Sequence, residues 1–247
     1  MVNPQKHLTN YLWKLLKRYA NIKLYKKQLE ILEEWKAPNR IETLNKGATF
    51  FKLVDASFKR TMLLELCLFV SEKEQINIFD WLNKAKIHSK SLNPTRSNRN
   101  AKLGKSRLKV KNNEYQRIIE KHIIELSRHN NIIINLVAHR DKIFTHYDSL
   151  YFNNPGSVYK KYAIDNSELD DLMKTIEKIL SEQHSYLFAS ALPSFKVPSY
   201  SNVNMILAYT RAFIRIREDK KLIVDKGFKP VNYLKEIYQI QKRYNDI

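Results

Sequence analysis

The sequence predicts an all-α protein: an antiparallel helical bundle with a basic loop and a C-terminal helical extension. Two observations point there. Glycine and proline are scarce, 4 and 7 in 247 residues, so the chain has few places to turn. Apolar residues also recur at helical spacing over long stretches. At 43% hydrophobic and 28% charged, the composition suits a folded core, and the length suits one domain with an appendage.

The first helix is expected from about Gln5 to Lys36. Leu12, Leu15, Leu16, Tyr19 and Ile22 keep helical spacing, and Leu24, Leu29 and Leu32 continue it less regularly. Pro38 and Asn39 end it. The next runs from Ile41 to Val70 with an interruption near Gly47, and carries the ladder Phe51, Val54, Phe58, Met62, Glu65, Phe69. A shorter helix follows from Asn77 to His88. Asn77 is suited to accept from free amides at its start, and Trp81 and Leu82 face the core.

Residues Ser89 to Asn112 read as a basic loop between two halves of the domain. Lys90, Arg96, Arg99, Lys102, Lys105, Arg107, Lys109 and Lys111 occur there without an acid, and Pro94 and Gly104 oppose a continuous helix. Such a loop is either a strap that tracks phosphates without sequence choice or a solvated linker. Gly104-Lys105-Ser106 imitates the end of a phosphate-binding loop. However, Arg99 stands where the first glycine belongs and no apolar strand precedes it, so an NTP-hydrolysis site is excluded.

A long helix is then expected from Asn113 to about Tyr147, with Ile118, Ile119, Ile123, Leu126, Ile133, Leu136 and Val137 as its buried stripe. Asn153-Asn154-Pro155-Gly156 signals a turn. Ser167-Glu168-Leu169-Asp170 resembles a capping box and opens a helix to about Ser190. Pro193 and Pro198 close the domain. The expected division is therefore 1–190 for the bundle, with its basic loop at 89–112, and 191–247 for the extension. Within the extension Asn204 to Arg217 is helical in pattern, and Asn232 to Tyr244 weakly so.

The net charge of +19 favours nucleic acid or an acidic partner. Cys67 is the single cysteine, set among leucines, so it reads as a buried apolar group. No intrachain disulfide can form, which fits the reducing cytoplasm expected for this protein. The N-terminus lacks a signal-peptide core and no apolar run approaches membrane-spanning length. The 7 histidines are dispersed, without Cys-His or His-Glu-x-x-His spacing, so neither a metal nor another cofactor is expected.

Chemistry concentrates in Ala138-His139-Arg140-Asp141-Lys142-Ile143-Phe144-Thr145-His146-Tyr147-Asp148. RNA cleavage by its own 2′-hydroxyl needs a base, a donor set for the charged phosphorane and an acid for the leaving 5′-oxygen. Histidine moves protons near neutral pH, and arginine holds phosphate with a planar fork. His146 is the candidate base or acid, Arg140 the phosphate ligand, and Asp141 its orienting support. Lys142, His139 and Tyr147 are candidate flanking RNA contacts, with Arg96, Arg99, Lys102, Lys105, Arg107 and Lys109 on the loop. His139 has an alternative reading as a packing or capping histidine. On one straight helix, six residues advance about 9 Å and turn the direction by about 120°. Arg140 and His146 of one chain then do not converge, whereas a two-fold dimer brings two of each around one cleft. A second pair, Arg117 and His122, is followed by Ile118 rather than a polar residue and reads as two solvated helix-face residues.

The segment resembles the signature of the HEPN superfamily, most closely its abortive-infection U-type branch. There an arginine, usually followed by Asn, Asp or His, precedes a histidine by about four to six residues. Here Asp141 follows Arg140 and five residues separate Arg140 from His146. Thr145 departs from the alanine usual before the histidine. Phe50 to Ser71 is similar in composition to that family's early core helix, and the likeness spans roughly the first 190 residues. The resemblance implies a metal-independent endoribonuclease acting as a toxin or abortive-infection effector in antiviral defence. It also implies a homodimer paired through the motif helix, leaving 2′,3′-cyclic phosphate and 5′-hydroxyl ends, and restrained by an acidic or nucleotidyltransferase-like antitoxin. Two alternatives remain: a non-catalytic nucleic-acid-binding helical module, and a dimerisation scaffold.

Overall fold

A computed structural model of the chain describes residues 3–97, 107–144, 155–188 and 202–218. They are overwhelmingly helical. The helices are α1 (Pro4–Glu34), α2 (Ile41–Lys46), α3 (Ala48–Val70), α4 (Ile78–Ile87), α5 (Ser89–Leu92), α6 (Asn112–Ser127), α7 (Asn130–His139), α8 (Pro155–Lys161), α9 (Asn166–Phe188) and α10 (Asn202–Glu218). A π-helical turn, Arg140–Phe144, continues α7, and β1 (Thr95–Ser97) pairs antiparallel with β2 (Arg107–Lys109). No described helix is long and apolar enough to cross a membrane.

The all-α expectation holds, and local chemistry explains most boundaries. Gly47 separates α2 from α3. The Asn77 side chain accepts from the Asp80 amide at 2.8 Å and starts α4, whose Trp81 and Leu82 are fully buried.

Four expectations need correction. The long motif helix breaks at Arg128 and His129. Polar Ser127, Arg128, Asn130 and Asn131 favour the backbone little there. The Ser127 hydroxyl donates back to the Ile123 carbonyl at 2.8 Å, and His129 bonds the Thr175 hydroxyl at 2.9 Å. The basic loop is folded at both ends: Ser89–Leu92 form a helical turn, and Thr95 pairs with Lys109 in the ribbon. The cap of α9 is Asp165, not Ser167: its carboxylate accepts from the Ser167 amide at 2.7 Å and from Glu168 at 3.1 Å. Pro155 and Gly156 belong to α8 rather than a turn, since proline at the first helical position forfeits no bond.

Chain contacts group the molecule into two units. The first comprises Met1–Ile22 and Met62–Ser194. Its interior is built on Leu12, Leu15, Tyr19, Leu66, Phe69, Ile119, Leu172 and Ile176, all buried. Buried polar tips find partners here. Tyr19 donates to the Met173 carbonyl at 2.6 Å, and the Trp81 indole to the Leu8 carbonyl at 3.0 Å. The second unit comprises Lys23–Thr61 and Phe195–Ile247. Its core joins Ile31, Leu32, Trp35, Leu44 and Leu207, with Phe51, Val54 and Phe58 packed against it. The Trp35 indole donates to the Asn204 side chain at 3.0 Å, and Arg211 to the Asn39 carbonyl at 3.0 Å.

Candidate active site and basic hairpin

Ile132, Ile133 and Leu136 bury one face of α7 and so fix the direction in which the chain leaves it. The helix then widens into the π turn at Arg140, which overturns the single straight helix expected through the motif. Widened turns of this kind are rare and gather at functional sites.

Arg140 is 7% exposed. Its Nε donates to Asp141 at 2.7 Å and its Nη1 to Glu74 at 2.7 Å. The hydrogen bond to Asp141 raises its affinity for the proton despite burial, so the guanidinium is a fixed positive charge. Glu74 is itself held in place. The Asn77 amide group donates to the Glu74 carbonyl at 2.6 Å, and the Asn77 backbone amide donates to the Tyr11 hydroxyl at 2.9 Å. A line of hydrogen bonds thus runs from α1 through the start of α4 to the arginine. Beneath it, burial pushes the Cys67 thiol up to about 11, and the charge of Arg140 opposes that rise only in part. Cys67 is therefore an inert, buried apolar group, as its leucine-rich neighbourhood indicates.

His139 points inward. Its Nε2 bonds the Tyr162 carbonyl at 2.7 Å and its ring meets the Tyr159 ring edge-on at 5.2 Å. At 3% exposure it is a packing histidine in this arrangement, not a surface one. Lys142 is half-buried on the π turn. Thr145, His146, Tyr147 and Asp148 lie outside the described residues, as do Arg99, Lys102, Gly104, Lys105, Pro193, Pro198 and 232–244.

Of the basic residues expected on the loop, Arg96 stands on β1 and pairs with Glu114 at 2.8 Å. Arg107 and Lys109 stand on β2, with Lys109 exposed. The Val110 amide donates to the Pro94 carbonyl at 2.9 Å and closes the base of the ribbon.

His122 is not the solvated residue that its sequence position suggested. It is buried. Tyr115 donates to Gln183 Oε1 at 2.6 Å, which turns the Gln183 amide nitrogen toward His122 Nδ1 at 3.0 Å. Nδ1 is then the acceptor, and the ring proton on Nε2 faces Glu182 at 2.9 Å. Burial lowers the proton affinity of this histidine, more than Glu182 raises it. The arrangement is a core polar network joining α6 to α9.

Glu74 escaped the sequence reading. It lies in Glu72-Lys73-Glu74, and nothing local distinguishes it from Glu72. Among the described residues no group of three or more His, Cys, Asp or Glu is placed to hold a metal ion. No protein-family model, curated protein or solved structure matches the chain.

Proposed function

We propose that the chain is a metal-independent endoribonuclease, a toxin or abortive-infection effector that cleaves RNA at a site shared across a homodimer. His146 transfers protons at the 2′-hydroxyl or the leaving oxygen, and Arg140 stabilises the phosphorane. One observation supports this reading most. The arginine of the motif begins a π turn, and its guanidinium is fixed by Asp141 and Glu74. A donor set oriented in advance costs no reorganisation when charge develops. Six residues further on, His146 supplies the titratable group. The net charge of +19 draws an RNA strand to the surface. An acidic or nucleotidyltransferase-like antitoxin is the corresponding restraint.

The test is cleavage of a labelled RNA in chelator, with the ends of the products identified. Wild-type protein should leave 2′,3′-cyclic phosphate and 5′-hydroxyl ends, and His146→Ala should leave the RNA intact. Cleavage that stops in chelator, or that survives His146→Ala, sinks the assignment.

The same ion pairs favour a second reading. A guanidinium neutralised by two carboxylates has less to offer a phosphate, which suits a non-catalytic nucleic-acid-binding module. A salt-sensitive gel shift without any cleavage would select it.

A further inference from the structure

We propose that the base of the ribbon holds a second RNA contact, a pocket that takes one phosphate together with the 2′-hydroxyl of a neighbouring ribose. This rests on the chain being an RNA binder, and not on cleavage at Arg140.

The pocket has a volume of about 430 Å³ and lies where α5, β2 and the start of α6 meet. Lys90, Lys109 and Lys111 fringe it and no carboxylate lines it. The nearby acid, Glu114, is engaged by Arg96. None of the three lysines forms an ion pair among the described residues. Lys111 occupies the N-cap of the 16-residue α6 without a side-chain capping bond; the Asn113 side chain meets the Glu114 amide at 2.9 Å, and the amides before it are left for a ligand.

Two orphaned polar atoms specify the ligand more closely. Ser89 is 1% exposed, and its hydroxyl lacks a hydrogen-bond partner. The Asn112 carbonyl oxygen is likewise buried and unpartnered. Native proteins rarely leave such groups unmet. Both residues line the pocket. Their demands differ. The serine hydroxyl can donate to a phosphate oxygen, as the lysines do. The asparagine oxygen only accepts, so its ligand must bring a donor. A phosphodiester has none, and deoxyribose lacks the hydroxyl that ribose carries beside it. The set of three cations, one hydroxyl and one lone acceptor therefore fits RNA better than DNA.

The test uses the full chain with His146→Ala, so that RNA survives the measurement. Binding of one single-stranded sequence, as RNA and as DNA, is followed by fluorescence anisotropy across a salt series. Lys109→Glu with Lys111→Glu should weaken RNA binding at least tenfold. It should also flatten the salt dependence by about 0.7 per lost phosphate contact. Lys160→Glu with Lys174→Glu, on exposed surface elsewhere, matches the change in charge and should have a small effect. Asn112→Leu should cut RNA affinity toward the DNA value and leave DNA binding as it was. The proposal is overturned if the two lysine pairs weaken binding equally, if Asn112→Leu lowers both ligands alike, or if the chain binds no RNA. Wild-type cleavage assayed alongside separates the two ideas. Cutting with indifferent pocket variants removes this site alone, and pocket-dependent binding without cutting removes only the ribonuclease.

Discussion

At the scale of single residues, Arg140 and His146 are expected to respond differently. Arg140 is buried between two carboxylates, so Arg140→Ala strips Glu74 and Asp141 of their counter-charge. Breaking a fully buried pair costs about 3–5 kcal/mol; both acids here keep contact with water, so a loss of about 2 kcal/mol is expected. Loss of cleavage in that variant would mix chemistry with folding. His146→Ala removes none of the described ion pairs. It should abolish cleavage while its urea midpoint stays at the wild-type value, and a midpoint that falls as far as that of Arg140→Ala would contradict the assignment. His122 supplies the pH dependence. Burial holds it below its ordinary value of 6.5, so the folded state keeps it neutral while the unfolded chain charges. Its contribution to stability is whole above that value and is lost as pH falls toward the folded value. His129, lowered by burial in the same way, adds to the effect. Urea midpoints should fall as the pH drops below about 6.5, and fall less in His122→Gln. Equal slopes in the two proteins would remove His122 from the account.

At the scale of elements, Asn77 joins folding to the site. One side chain caps α4 through the Asp80 amide and holds the Glu74 carbonyl, which leads to Arg140. Asn77→Ala should cost about 1–2 kcal/mol as a lost cap. It should also slow cleavage by loosening Glu74, whereas Asn77→Asp should keep the cap but lose the donor to the Glu74 carbonyl, recovering part of the stability and little of the rate. Thermal melts and initial cleavage rates read the two effects separately. The cap itself was legible, because asparagine before an apolar periodic run has one local use. Gly47 was legible for the same reason. The break at Arg128 was not, since neither glycine nor proline marks it and apolar spacing resumes at Ile132 and Ile133. Asp165 and Ser167 are both good capping residues two positions apart, and geometry rather than composition chose the aspartate. The burial of His122 left a readable trace, for Tyr115, Ile119, His122 and Leu126 share one helical stripe. The link from Glu74 to Arg140 spans 66 residues and leaves none.

At the scale of the molecule, the central question is whether one chain suffices for catalysis. A single histidine makes one proton transfer at a time, and the mechanism needs a base and an acid. A two-fold pair of chains, as proposed, would supply both, and it makes a prediction that no single-chain site shares. Arg140→Lys keeps the charge but loses the planar fork, so a homodimer of it should be nearly inactive. A His146→Ala homodimer should be inactive for want of a proton carrier. Mixing the two and allowing subunits to exchange forms heterodimers that hold one intact Arg140 and one intact His146 about the same cleft. The one remaining histidine makes one proton transfer and water must serve the other, so cleavage should return only in part, rising with the heterodimer fraction and highest near an equal mixture. If each chain cuts alone, mixing two dead proteins yields a dead solution at every ratio. Light scattering on the same samples reports whether dimers are present. Dimers that exchange and still fail to complement would place the pairing surface away from the motif, leaving a basic helical binder of RNA.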